Sequence, residues 1–185
     1  MTAEGSLLTR VRWKIVPAED EANWRRALAR LSGADVYDEP AYQRATARHV
    51  HGQAYAYVAE AAGAHLFHSF IVRPIETVGN KPAPRALYDL ETAYGYGGPL
   101  ASARDPDFLK DAWAGFDAWC RAGRVVTEFL RFHPLGARKD FAHPGTRIWR
   151  DRETVVVPLD GDDEALEAGY SDAQSRNLRT ARNAG

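Results

Sequence analysis

The sequence predicts a mixed α/β chain of the α+β type, with a largely antiparallel central sheet and helices on both faces. Three observations carry this. Residues 53–60 and 65–73 are strand-like runs split by a short Ala-Gly turn, so they read as a β-hairpin. Residues 105–123 show one long apolar stripe at helical spacing. Short strands surround that helix, and hairpins with a single long crossover exclude a purely parallel, doubly wound sheet.

The elements follow in order. Val11, Trp13 and Ile15 alternate with Arg12 and Lys14, the pattern of a half-buried strand. Residues 19–31 read as a helix with acids in its first turn, Gly33 just past its end, and Trp24, Leu28 and Leu31 as its stripe. A second helix starts near Asp38, takes Pro40 at its first turn where the missing amide costs nothing, and ends near Gly52. After the hairpin, residues 80–84 are a proline-containing break, residues 86–91 a short strand, and residues 93–104 a glycine-rich loop. In the long helix Asp105 caps, Pro106 starts, and Phe108, Trp113, Phe116, Trp119 and Cys120 face one way, so burial of these side chains is expected. Residues 124–133 form an apolar strand stopped by Pro134, and residues 154–159 a last strand. Ser171 and Gln174 have capping-box spacing at the head of a final helix whose only large apolar residue is Leu178.

Composition narrows the function classes. The 185 residues hold 45% hydrophobic and 26% charged residues with a net charge of -1, ordinary for one globular domain. That charge offers no bulk attraction to nucleic acid or to an anionic membrane. A single cysteine, Cys120, excludes an internal disulfide and sits on the core stripe rather than in a nucleophile's setting. The first ten residues lack a signal-peptide pattern and no apolar run reaches about 18 residues, so a cytoplasmic protein without a membrane span is expected. His49, His51, His65 and His68 match no metal-ligand spacing, and no metal is expected.

Residues 89–100 are the most informative stretch. Three glycines, Gly95, Gly97 and Gly98, let a ligand approach the main chain, and loop amides can converge on an anion ahead of a helix. Tyr94 and Tyr96 can stack on or hydrogen-bond to a ligand. A tight turn plugged by aromatics explains the same residues equally well. The loop is expected beside a pocket at the ends of central strands. Arg131 and His133 share one strand face, opposite Glu128, and could hold a carboxylate or phosphate; a buried Arg paired with an acid is the alternative. Arg176, Arg179 and Arg182 recur every third residue along one helix, where they could grip phosphates or simply suit the negative end of the helix.

The run Tyr94-Gly95-Tyr96-Gly97-Gly98-Pro99 after an acidic strand end, then residues 128–135 (EFLRFHPL), then residues 175–185 (SRNLRTARNAG), together resemble the FemAB-like branch of the GNAT acyltransferase superfamily. The resemblance runs from about Tyr37 onward. It implies a GNAT-like domain over residues 1–170, with residues 171–185 as a basic helix leading toward a second GNAT-like domain in cis or in a second copy. It implies an acyl- or aminoacyltransferase acting on an amine acceptor such as a small molecule or a cell-wall precursor of peptidoglycan or envelope polysaccharide. Acyl-CoA or aminoacyl-tRNA would be the donor, held mostly by the other half, with no cofactor in this one. The substrate-binding residues would be Tyr94, Gly95, Tyr96, Gly97, Gly98, Arg131, His133, Arg176 and Arg179. One departure matters: the family's acyl-CoA loop carries Gln or Arg three residues before its Gly-x-Gly, and this chain has Thr92 there. A second reading therefore stands beside the first, a degenerate module that binds the acceptor without chemistry.

Overall fold

The computed structural model describes residues 11–157 and 159–184. They divide into two compact units between Ile148 and Trp149, and each is taken by itself.

The first unit runs β1 (Arg12–Pro17), α1 (Glu21–Leu28), α2 (Pro40–His49), β2 (Gln53–Ala61), β3 (Ala64–Pro74), β4 (Thr77–Val78), β5 (Lys81–Pro82), β6 (Tyr88–Glu91), β7 (Leu100–Ala101), α3 (Pro106–Ala122) and β8 (Val125–Phe129). The main sheet has six strands in the order β1-β2-β3-β6-β8, with β7 also paired to β3. Every pairing in it is antiparallel except β6 with β8. A mixed α+β fold with a mostly antiparallel sheet is thus what the chain adopts.

Period-two alternation gives the sheet two apolar faces. Val16, Ala56 and Phe67 pack with Trp24 and Leu28 of α1 and Ala47 of α2. Tyr57, Leu66, Phe70 and Leu90 pack on the other face with Phe108, Trp113 and Phe116 of α3. Each large side chain so buried contributes about 1.5–3 kcal/mol. The caps act as their residue types dictate: Asp20 accepts from the Asn23 amide, and Asp105 from the amides of Asp107 and Phe108.

Several boundaries differ from the sequence reading. The first helix is shorter at both ends, because Asp20 caps it and the chain turns after Leu28. Residues 80–84 are not a plain break: Lys81–Pro82 pairs with Thr77–Val78 in a small separate ribbon. The glycine-rich stretch hides β7, whose Leu100 lies opposite Phe67. The strand expected over 124–133 ends at Phe129, and Arg124 itself sits in the left-handed region at φ 57°. Trp113 and Phe116 are buried, while Trp119 and Cys120 are only half-buried at the end of α3.

The second unit contains α4 (Asp163–Ala168), which the sequence reading missed, and α5 (Asp172–Asn183). The expected capping box is formed: Ser171 Oγ accepts from the Gln174 amide and Gln174 Oε1 accepts from the Ser171 amide. The strand expected over 154–159 is absent among the described residues of that stretch; Pro158 lies outside them. Val155, Val156, Val157 and Leu159 are exposed. The β-branched valines favour extended backbone, but a strand needs a partner ladder as well. No helix among the described residues is long and apolar enough to cross a membrane.

Candidate functional site

β6 and β8 run parallel, and the glycine-rich loop leaves the carboxyl end of β6. Ligands of open α/β sheets gather outside the carboxyl ends of parallel strands. The two chains part beyond Glu91 and Phe129 but stay laced together. Thr92 N donates to Phe129 O at 3.1 Å, and Arg131 N donates to Thr92 Oγ1 at 3.2 Å. Gly97 N donates to Arg131 O at 2.8 Å, and Gly97 O accepts from His133 N at 3.0 Å. Gly97 is therefore buried and paired on both sides, so its amide is not offered to an anion. Thr92 is a bracket inside the protein rather than a ligand contact.

Two glycines are required here by geometry. Gly95 has φ +96°, and a Cβ on it would collide with the Tyr37 ring. Gly98 has φ +100°, and its Cβ would fall 2.8 Å from Phe132 Cδ1. Tyr37 stands edge-on to Tyr42 and Tyr96, with ring centroids 5.4 and 5.7 Å away. Tyr42 Oη donates to Tyr94 O at 2.8 Å. Burial, followed by the neighbouring Tyr37 and Tyr94, pushes the Tyr42 phenol above its ordinary range. Tyrosines on α2 and the turn before it thus fix the loop from beneath.

His133 lies against Tyr96, with ring centroids 5.7 Å apart. Its Nδ1 accepts from the Leu135 amide at 3.2 Å, so that nitrogen carries no proton. Nε2 then bears the hydrogen and donates to Asp35 Oδ2 at 3.1 Å. With both nitrogens engaged, His133 orients the loop rather than holding a ligand. Arg131 differs: it is exposed, its Nη1 reaches Gly95 O at a long 3.4 Å, and its guanidinium lies 6.0 Å from the Phe129 ring centre. Tyr94 is 76% exposed. The loop is a rigid shelf that presents Tyr94 and Arg131.

The shelf rests on a residue the sequence reading did not single out. Arg138, in a 3-10 turn at Arg138–Phe141, is 1% exposed and pairs with Asp38 through both Nη atoms at 2.8 and 2.6 Å. It also donates to Gly98 O at 3.1 Å and Gly33 O at 3.0 Å. Asp38 completes its shell by accepting from the Asp35 amide, while its carbonyl accepts from the Trp24 indole. One buried guanidinium therefore ties the loop to the segment between α1 and α2. No periodic pattern surrounds Arg138, so only its isolation in an irregular stretch marked it.

Comparison of the chain with protein-family models, curated proteins and solved structures finds no match. The site's meaning therefore rests on its own chemistry.

A second polar group lies on the α3 face. His68 is buried among Phe70, Trp113 and Phe116, and its Nε2 lies 2.7 Å from Glu128 Oε1. Glu128 and His133 thus meet different partners, and because the strand ends at Phe129 the alternation expected to separate them does not extend to His133. Cys120, at the end of α3, has its thiol pushed up to about 12, by burial first and the Glu128 charge second. Such a thiol is a poor nucleophile. Among the described residues no group of three or more His, Cys, Asp or Glu is placed to hold a metal ion.

Arg176 and Arg179 belong to the second unit, where both are exposed on α5. Arg182 is engaged by Glu167, which holds its guanidinium further toward the charged form. Of the three arginines in the stripe, one is thus committed to an ion pair.

Proposed function

We propose that this chain is the N-terminal, acceptor-binding half of a FemAB-like acyl- or aminoacyltransferase of the GNAT superfamily. It would act in the cytoplasm on an amine-bearing cell-wall or envelope precursor. The observation that carries this reading is the braced shelf at the carboxyl end of the parallel pair, which holds Tyr94 and Arg131 toward solvent. Arg131 would take a carboxylate or phosphate of the acceptor and Tyr94 would lie along it, so that the amine is positioned by binding rather than by chemistry. Acyl-CoA or aminoacyl-tRNA would be held by a second GNAT-like domain, in cis or in a second copy. Arg176 and Arg179 would add phosphate contacts.

The second reading, a module that binds the acceptor without catalysis, is favoured by two details. Thr92 is spent on the Arg131 amide, and both His133 nitrogens are occupied, so neither supplies a donor contact or a ready base.

One titration tests the proposal. Amide signals of the chain are followed by NMR as a nucleotide-linked muramyl pentapeptide carrying a free lysine amine is added. Saturable shifts at residues 94–98 and 131, lost in Tyr94→Ala and Arg131→Gln, are expected. Binding that leaves those residues unmoved, or no binding at all, removes the acceptor site. Acyl transfer assayed with acetyl-CoA separates the readings: turnover by this chain alone excludes the non-catalytic module.

A further inference from the structure

A cleft of about 310 Å3 opens between α1 and the outer end of β1, β2 and β3. None of residues 94–98 lines it, so it is distinct from the shelf. Its charge is uneven: Arg12, Lys14, Arg26 and Arg30 face it, with Glu60 as its one carboxylate and His65 beside that. The whole chain carries a net charge of -1, so this is a local excess.

The fold assembles that excess from two elements. Val16 belongs to the core under α1, and alternation therefore turns Arg12 and Lys14 to the same face. Register sets Arg12 opposite Glu60, and Glu60 opposite His65. Arg26 lies in the last turn of α1 and Arg30 in the turn just after it. Glu60 is shared: its oxygens lie 3.1 Å from Arg12 Nη2 and 3.3 Å from Arg30 Nη1. Arg26 Nη1 donates to Asn23 Oδ1, a neutral group. Lys14 makes no hydrogen bond or ion pair among the described residues, although its charge and that of Arg26 both act on the nearby Asp20 carboxylate. The helix dipole accounts for Arg26, near the carboxyl end of α1, but not for two cations on a strand. Val58 and Leu31, both packed against the α1-side core, supply an apolar floor. Clefts of about 300 Å3 and above hold small organic ligands.

We propose that this cleft binds a small diphosphate ester, a site beyond the acceptor shelf. Lys14 and Arg26 make the first contacts with phosphate oxygens. Arg12 and Arg30 then turn from Glu60 to the second phosphate, since a dianionic group offers guanidinium forks more acceptors than one shared carboxylate. The organic group rests on Val58 and Leu31. Glu60 is the counter-charge to Arg12 and Arg30 and competes with the ligand for them.

Calorimetric titration of the full chain at low ionic strength tests this, with pyrophosphate, ADP and adenosine as probes. Pyrophosphate and ADP bind saturably and adenosine does not. Lys14→Gln and Arg26→Gln each weaken binding about fivefold or more, which is about 1 kcal/mol. Glu60→Gln tightens it, because Arg12 and Arg30 lose their competitor. All three side chains lie on the rim, and thermal melts confirm that the variants fold. Absent pyrophosphate binding, indifference to Lys14→Gln and Arg26→Gln, weaker binding in Glu60→Gln, or equal binding of adenosine and ADP each overturns the proposal. None of these outcomes bears on Tyr94 or Arg131, so the shelf stands or falls separately.

Discussion

Arg138 and Asp38, a hundred residues apart in the chain, meet in a two-point ion pair with both side chains 1% exposed. Removing one partner leaves a buried, uncompensated charge. Arg138→Met is therefore expected to cost about 3–5 kcal/mol, far more than a surface pair. Combining Arg138→Met with Asp38→Asn should recover part of that, because the amide that replaces the carboxylate carries no orphaned charge. Urea unfolding of both single variants and the double variant measures both effects, and a single-variant cost under about 1 kcal/mol would show that the pair does not hold the shelf.

Gly95→Ala tests the shelf from the other side. The substitution meets two penalties, a left-handed φ and a collision with Tyr37, together expected to exceed about 1 kcal/mol. In a Tyr37→Ala background the collision disappears while the backbone strain remains. A coupling energy of at least about 0.5 kcal/mol is thus expected from the double-mutant cycle by chemical denaturation. Strict additivity would mean that Tyr37 does not brace Gly95.

These two sites show where sequence was readable and where it was not. The hairpin, α2 and α3 were legible because alternation, helical spacing, Pro40 and Asp105 agree at each end. β7 was not, since two residues inside a glycine-rich stretch carry no period. Val155 to Val157 misled in the opposite direction: β-branched residues announce a strand, but only a neighbouring ladder makes one. At the site, Tyr94, Tyr96 and the glycines were visible as a cluster. That His133 would be spent on Asp35 and the Leu135 amide was not, because Asp35 lies far away along the chain. Arg138 and the basic cleft stayed hidden for the same reason. Their charges become neighbours only through pairings that place Arg12 opposite Glu60 and Asp38 beside Arg138.

Cys120 offers a reading of burial at the end of α3. Its thiol is raised from an ordinary value of 9.0 to about 12, so at pH 8 the native chain holds about 1,000-fold less thiolate than a free cysteine. Labelling by a disulfide reagent should be slow in the folded chain, fast in urea, and about tenfold faster per pH unit between pH 8 and 11. The folded state binds this proton more tightly than the unfolded one. Its contribution to stability is therefore complete below pH 9 and is lost as pH rises toward 12. Rapid labelling at pH 8 under native conditions would contradict the burial of the thiol.

The final helix, α5, is expected to be the most labile helix over ten residues long among those described. It has 12 residues, a length at which isolated helices are marginal in water. Leu178 is its only large apolar side chain and is only half-buried, while most of the helix is exposed. What holds it is local: the reciprocal Ser171–Gln174 cap and the Arg182–Glu167 pair. Neither supplies the apolar burial that Phe108, Trp113 and Phe116 give α3. Amide exchange over residues 173–183 should accordingly be orders of magnitude faster than over the middle of α3. Ser171→Ala, by removing the cap at about 1 kcal/mol, should lower helical circular dichroism without moving the unfolding transition of the first unit. Protection of α5 equal to that of α3 would require a partner surface over the face that carries Leu178, and would direct attention to whatever binds between Arg176 and Arg179.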